Sequence, residues 1–175
     1  TELAKDVDRL QLVSDRFSKI GSAPKLEEKD VLEQIENMVD YIRRRSPEKM
    51  QFIINSGNAA SDFIKICASL FDWVIENLLK NALDAMKGKG TITIDISETS
   101  RHVQIDVSDT GKGIATSHFN SVFKPGFTTK KRGWGLGLTL SRRIIQQYHS
   151  GQLFVKHSEP GKGTTFRIIL PKSVL

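Results

Sequence analysis

Three short motifs, far apart in the chain, restrict its fold more than any other feature. Glu76-Asn77-Leu78-Leu79-Lys80-Asn81-Ala82-Leu83-Asp84 has the apolar spacing of a helix. Asp109-Thr110-Gly111-Lys112-Gly113 reads as a strand end running into a glycine turn, and Gly133-Trp134-Gly135-Leu136-Gly137-Leu138 opens a further helix. A fold that unites them would join an amide oxygen suited to a hard cation, a carboxylate suited to an amino group and a glycine-lined cradle for phosphate. Together these make a nucleotide site built from separated segments.

Asn77, Asn81 and Asp84 are spaced four and three residues apart and share one helix face. A buried amide without partners costs about 1–3 kcal/mol, so a polar column flanked by Leu78, Leu79 and Ala82 needs a reason. Capping or a core hydrogen bond would serve a single asparagine; a ligand serves the column better. Asn81 can offer its amide oxygen to a Mg2+ that carries nucleotide phosphates, since that ion takes oxygen ligands and keeps several waters. Lys80 beside it is a candidate for a phosphate contact.

An ionised Asp109 only accepts hydrogen bonds, so it can receive the exocyclic amine of adenine and rejects the carbonyl that guanine carries there. Gly111 and Gly113 let the backbone approach the base closely. Asp-Thr-Gly is also ordinary turn chemistry, and its weight comes from its place after a strand, downstream of the asparagine helix. Gly133, Gly135 and Gly137 precede Leu138, Leu140, Ile144 and Ile145 at helical spacing. Backbone amides at such a helix start, aided by the dipole, bind anions. The box is not a P-loop, because no Gly-Lys-Ser/Thr follows four free positions, nor is it a dinucleotide fingerprint, which follows a strand early in its fold.

The 26 basic and 20 acidic residues give a net charge of +6, which by itself would admit a nucleic-acid partner. Lys130-Lys131-Arg132 and Arg142-Arg143 instead flank the glycine box, where a polyphosphate needs counter-charge, and no aromatic residues interleave with a basic stripe. A solvated surface remains the alternative use of each basic run. At 175 residues the chain fits one domain with an appendage. No apolar run approaches membrane-spanning length and nothing at the start resembles a signal peptide. The first residue is Thr1 rather than Met, so the chain is expected to be a piece of a longer protein. The lone Cys67, among Ile64, Ile66 and Ala68, reads as a buried small hydrophobe of a reducing compartment.

Leu3, Val7, Leu10, Val13, Phe17 and Ile20 repeat as the seam of a coiled-coil-like helix, ended by Gly21-Ser22-Ala23-Pro24. The spacing predicts a second helix from about Leu26 to Arg45 and a third over 69–86, with two short strands, 51–55 and 63–67, between them. A hairpin, 91–97 and 102–108, follows. A loose stretch then runs over 114–132, a helix over 135–148 and two closing strands over 151–157 and 164–170. The elements lack the alternation of a doubly wound parallel sheet, so an α+β two-layer sandwich is expected, with helices on one face of a mixed sheet.

With these residues in view, the chain resembles the catalytic ATP-binding domain of sensor histidine kinases, in the superfamily that also holds DNA gyrase, the Hsp90 chaperones and MutL. Glu76–Asp84 looks like the N box, Asp109–Gly113 the first glycine box, Phe123–Phe127 the F box, Gly133–Leu138 the second glycine box, and Gly163-Thr164-Thr165-Phe166 the last motif. The resemblance implies a two-layer sandwich of the Bergerat type over 23–175, preceded over 1–22 by the second helix of a truncated dimerisation and phosphotransfer hairpin. It implies that Asn81 binds Mg2+, that Asp109 holds adenine, that Thr128, Thr129, Lys130, Lys131 and Arg132 belong to a lid over the phosphates, and that Thr164 and Thr165 lie near the base. Ile114 joins the ATP-binding set on the same ground. ATP and Mg2+ are thus the implied cofactors, and a response-regulator receiver domain and the missing helix of a homodimeric parent the implied partners. The implied location is cytoplasmic, whether or not the parent is anchored in a membrane.

Departures from the family pattern refine the chemistry. Gyrase-like ATPases carry a glutamate four residues before the metal-binding asparagine; here that residue is Asn77, which cannot act as a general base. Glu76 is one residue away, rotated by about 100° on the helix. This favours phosphoryl transfer over hydrolysis. Gly126 replaces a frequent aromatic in the F box. His102, His118, His149 and His157 read as structural or surface residues, with His149 placed where a helix C-terminus favours positive charge. The acceptor histidine is therefore expected outside the chain. An ATPase clamp of the gyrase or MutL type and a non-catalytic nucleotide-binding module are the rival readings.

Overall fold

The computed structural model describes residues 1–18, 24–57, 63–127 and 136–172, the side chains of Arg16 and Phe17 excepted. In chain order it contains α1 (Glu2–Ser18), β1 (Glu27–Asp30), α2 (Val31–Arg43), β2 (Met50–Asn55), β3 (Phe63–Ile66), α3 (Ala68–Met86), β4 (Gly90–Glu98), β5 (His102–Asp109), α4 (Gly137–Arg143), β6 (Gln152–Glu159) and β7 (Gly163–Pro171). Single 3-10 turns at Thr116–His118 and Ser121–Phe123 lie between β5 and α4, and a π-helical stretch, Ile144–Tyr148, continues α4.

Strict alternation makes the sheet two-faced. Ile92, Ile94 and Ile96 of β4 and Val103, Ile105 and Val107 of β5 are buried, while Thr91, Thr93, Asp95 and Gln104 between them are not. The five strands lie in the order β2-β4-β5-β7-β6, with β2 parallel to β4 and every other pair antiparallel. On the inner face sit α2, through Val31, Ile35, Val39 and Ile42, and α3, through Leu70, Phe71, Val74, Ile75, Leu78 and Leu79. The stripes recur every three or four residues, as an amphipathic helix requires. On the outer face, burial works against the charge of Asp106, but Arg167 at 2.7 Å and Lys156 at 2.9 Å outweigh it and hold the carboxyl below its ordinary range.

The mixed two-layer sandwich is the architecture that the element pattern predicts, with three corrections. The second helix starts at Val31, not Leu26: Glu27–Asp30 instead forms β1, antiparallel to β3, and Asp30 caps α2 by accepting the Glu33 N–H at 3.3 Å. The two short strands belong to different sheets, because β2 joins β4 whereas β3 pairs with β1. The single helix expected over 135–148 divides into α4 and the π-helical stretch, and its first residue, Gly135, lies outside the described part. The same holds for most of the boundary at Gly21–Pro24.

Candidate functional site

A cavity of about 560 Å3 opens between α3, the loop after β5, the start of α4 and the first residues of β7. From α3 it receives Asn77, Lys80, Asn81 and Asp84, the column that the spacing defines. Asn77 reaches across to α4: its Nδ2 donates to the Oγ of the fully buried Ser141 at 3.2 Å. A Cβ added to Gly137 would stand 3.7 Å from Asn77 Oδ1, an ordinary van der Waals contact, so the approach of α4 to this asparagine does not itself demand glycine. Lys80 Nζ lies 2.6 Å from Glu76 Oε1, one helical turn earlier.

At the other end, the Asp109 carboxylate accepts the Gly111 N–H at 2.8 Å and also a backbone N–H of Thr164. Burial pushes its pKa up, and these two N–H groups offset only part of that rise. The loop is pressed against its neighbours on both sides. A Cβ on Gly111 would come within 2.6 Å of the Ala85 carbonyl oxygen, and Lys112 N–H donates to that same oxygen at 3.0 Å. Gly113, at φ +75°, faces the Glu159 carbonyl, which a Cβ would meet at 2.2 Å. The turn between β6 and β7 closes the strap, with Gly161 N–H donating to the Lys112 carbonyl at 2.7 Å.

The cavity thus gathers Asn77, Lys80, Asn81, Asp84, Asp109, Gly113, Ile114, Leu136, Gly137, Leu138 and Thr164 from the residues singled out in the sequence. Gly111 does not line it and serves the close approach to α3 instead. Thr165 is a correction: strand alternation turns it to the outer face of β7, where its Oγ1 lies 2.8 Å from Ser108 Oγ. Thr128, Thr129, Lys130, Lys131, Arg132, Gly133 and Gly135 lie outside the described residues. Arg142 is not at the cavity; its guanidinium sits 4.7 Å from the Phe123 ring centroid. Sequence reasoning missed Lys112, Trp73, Phe127 and His118, all of which line the cavity, together with Arg9, Leu12 and Val13 of α1. His118 is exposed, as a surface residue would be, and also lines the cavity, where its ring meets Phe127 edge-on at 5.5 Å.

His149 is a second correction. It is buried and neutral rather than a charged residue at a helix end: Nδ1 is 3.0 Å from the Ile144 carbonyl, so it donates, and Nε2 accepts the Cys67 N–H at 3.1 Å. That bond satisfies the N–H of Cys67, the N-cap residue of α3, whose side chain makes no cap hydrogen bond. Burial lowers the His149 pKa below 6.5, against the smaller opposing pull of the Ile144 bond. Its contribution to stability is complete above about pH 6.5, the unfolded value, and is lost as the pH falls through the folded value. Asp72, pushed up to about 6 by burial and by Glu76, acts in the opposite sense, favouring the folded state at low pH. His149→Gln, with an acceptor but no proton to gain, isolates the histidine: its urea midpoint should fall less than the wild-type midpoint between pH 7.5 and 5.5.

The family described as the histidine kinase-, DNA gyrase B- and HSP90-like ATPases matches residues 68–174. The chain belongs to this family. Among relatives, the sensor histidine kinase ZraS of Salmonella typhi is 34% identical over 97% of this chain and 37% of its own length. Sporulation kinase C of Bacillus subtilis is 39% identical over 56% of this chain and 22% of its own. The chain thus spans well under half the length of the curated relatives it matches. The nucleotide-free catalytic domain of the histidine kinase ThkA superposes with a TM-score of 0.73 at 26% identity, covering 85% of this chain and 96% of that one. A crystal structure of ThkA with the response regulator protein TrrA shares the fold, with a TM-score of 0.75 at 23% identity over 97% of this chain and 49% of that one.

Within this ATPase family, the chain's oxygen donors at the α3 side of the cavity fit a hard cation held chiefly by its nucleotide. Among the described residues no three His, Cys, Asp or Glu side chains gather into a metal cage. Asn81 and Asp84 do line the cavity, and their side chains carry amide and carboxylate oxygens, a donor set that suits an ion bound largely by phosphate and water. No described helix is long and apolar enough to cross a membrane.

Proposed function

We propose that this chain is the ATP-binding catalytic domain of a sensor histidine kinase, residues 23–175, preceded over 1–22 by the second helix of a phosphotransfer hairpin. It binds ATP with Mg2+ and gives the γ-phosphoryl group to a histidine outside the chain, from which a response-regulator aspartate takes it. The observation that carries this reading is the convergence of Asn81 and Asp109 on one cavity, with an amide, Asn77, at the position where a hydrolase needs a base. ThkA's structure with a response regulator supports the class of partner, and the exposed Leu3, Val7 and Leu10 along α1 support a helical one.

In the proposed complex Asp109 takes the exocyclic amine of adenine, and Ile114, Leu136 and Leu138 flank the base and sugar with apolar surface. The triphosphate runs toward α3, where Asn81 holds the metal, with Asp84 beside it. Mg2+, when bound, neutralises charge on the phosphates. Lys130, Lys131 and Arg132, with Thr128 and Thr129, close over them as a lid, and Gly133 and Gly135 let backbone amides approach. Because Asn77 is spent on Ser141 and accepts no proton, no group at its position activates water, and the γ-phosphorus waits for the nitrogen of an incoming imidazole. The nitrogen–phosphorus bond forms as the bond to the β,γ-bridging oxygen breaks, releasing ADP. Positioning and charge neutralisation carry such a reaction. The domain works in the cytoplasm.

Incubation with γ-labelled ATP and a separate polypeptide supplying the first hairpin helix tests this directly. Label on the histidine of the added helix is the expected result. Rapid phosphate release without labelled helix would favour a clamp ATPase, and failure to bind any adenine nucleotide would favour a non-catalytic module.

A further inference from the structure

Ser158 does not line the cavity, yet three chain segments meet at its hydroxyl. Its Oγ accepts the Ile114 N–H at 2.7 Å, lies 3.0 Å from the Gly163 carbonyl oxygen and 2.8 Å from Thr164 Oγ1. Both residues are buried, Ser158 9% and Thr164 5% exposed. A serine hydroxyl has one proton and two lone pairs. A carbonyl can only accept, so the Ser158 proton points to Gly163. Ile114 N–H fills one lone pair, and the remaining lone pair faces Thr164, whose hydroxyl must then donate to it. With its proton directed at Ser158, the Thr164 hydroxyl has only lone pairs left for any other partner, and Thr164 lines the cavity together with Asp109.

We propose that Ser158 is a specificity-determining residue acting at second hand: by fixing the Thr164 hydroxyl as an acceptor, it sets a second side-chain acceptor beside Asp109 on the cavity wall, which suits the 6-amino group of a purine and disfavours a 6-oxo group. The proposal rests on the reading of Asp109 as the residue that takes the base. A Thr164 hydroxyl free to rotate could donate to a 6-oxo group, and the selectivity would then rest on Asp109 alone. Ser158 is thus a positioning residue, and it touches no ligand.

The test compares ATP with inosine triphosphate, which differs in having a 6-oxo group and N1–H but no 2-amino group, by calorimetric titration of the Mg2+ complexes. The wild type should prefer ATP. Ser158→Ala should narrow the ATP-to-ITP preference by about tenfold, the worth of one neutral hydrogen bond. Ser158→Thr, which keeps the hydroxyl, should retain the preference, and in a Thr164→Val background Ser158→Ala should leave the ratio unchanged. An equal loss of affinity for both nucleotides in Ser158→Ala would make the serine merely structural and overturn the inference while leaving the Asp109 reading intact. Absence of an ATP preference in the wild type would overturn both. If Ser158→Ala does not fold, Ser158→Cys keeps the volume with a weaker acceptor, and the ratio is read on that variant by the same criteria.

Discussion

Gly163→Ala is expected to destabilise the protein by about 2–6 kcal/mol, from a strained backbone and an overpacked contact of about 1–3 kcal/mol each. Gly163 sits at φ +125°, and a Cβ there would stand 1.9 Å from the Asp109 carbonyl oxygen and 3.1 Å from Thr110 Cα. Both neighbours are backbone, so no side chain can swing aside, and relief requires the β7 start to move away from the glycine loop. That movement would also carry the Thr164 N–H from the Asp109 carboxylate. Against a total stability of about 5–15 kcal/mol, the loss should appear as a large drop in the urea midpoint and a weakened affinity for ATP. Gly161→Ala is the control. Gly161 also has positive φ (+81°), but an added Cβ would meet nothing within 4 Å, so only the backbone cost of about 1–2 kcal/mol applies. Equal midpoints for the two variants would refute the close approach of the turn to the Asp109 loop.

The contrast between these glycines shows what could be read in the sequence and what could not. Strand alternation in Ile92-Thr93-Ile94-Asp95-Ile96 and the apolar stripe of α3 are local patterns, and both elements formed where the pattern puts them. The polar column Asn77, Asn81, Asp84 and the acceptor chemistry of Asp109 are likewise properties of single motifs, and one cavity holds them all. Glu27–Asp30 is different. Its composition suits a helix start, and it becomes a strand only because Phe63–Ile66 pairs with it. Tertiary contact overrides propensity there. The same holds for Lys112, His118 and Ser158, which belong to or support the site through turns that meet only in the folded chain. His149 differs from its sequence reading for a related reason: sequence places it after a helix, and only the fold brings the Cys67 N–H at the start of α3 to its Nε2.

Asn81→Ala should abolish the Mg2+-dependent part of nucleotide binding. Asn81 is partly exposed on the cavity side of α3, between Asn77 and Asp84, so truncation removes an oxygen donor without opening the core. Loss of a contact between a charged centre and its oxygen ligand is worth about 1.5–3 kcal/mol, or roughly tenfold to over hundredfold in affinity. The measurement is a calorimetric titration with ATP in Mg2+ and again in a chelator. The wild type should bind more tightly with the metal, and the variant should give the same weak constant in both. Asn81→Asp, which keeps an oxygen at the same reach, should retain a response to Mg2+. Asn77→Ala separates the two asparagines: its amide is tied to the buried Ser141 between α3 and α4, so its loss should lower the urea midpoint while leaving the ratio of affinities with and without Mg2+ in place. Undiminished Mg2+-dependent affinity in Asn81→Ala would remove the metal from this face of α3, and with it the assignment of the α3 end of the cavity to phosphate.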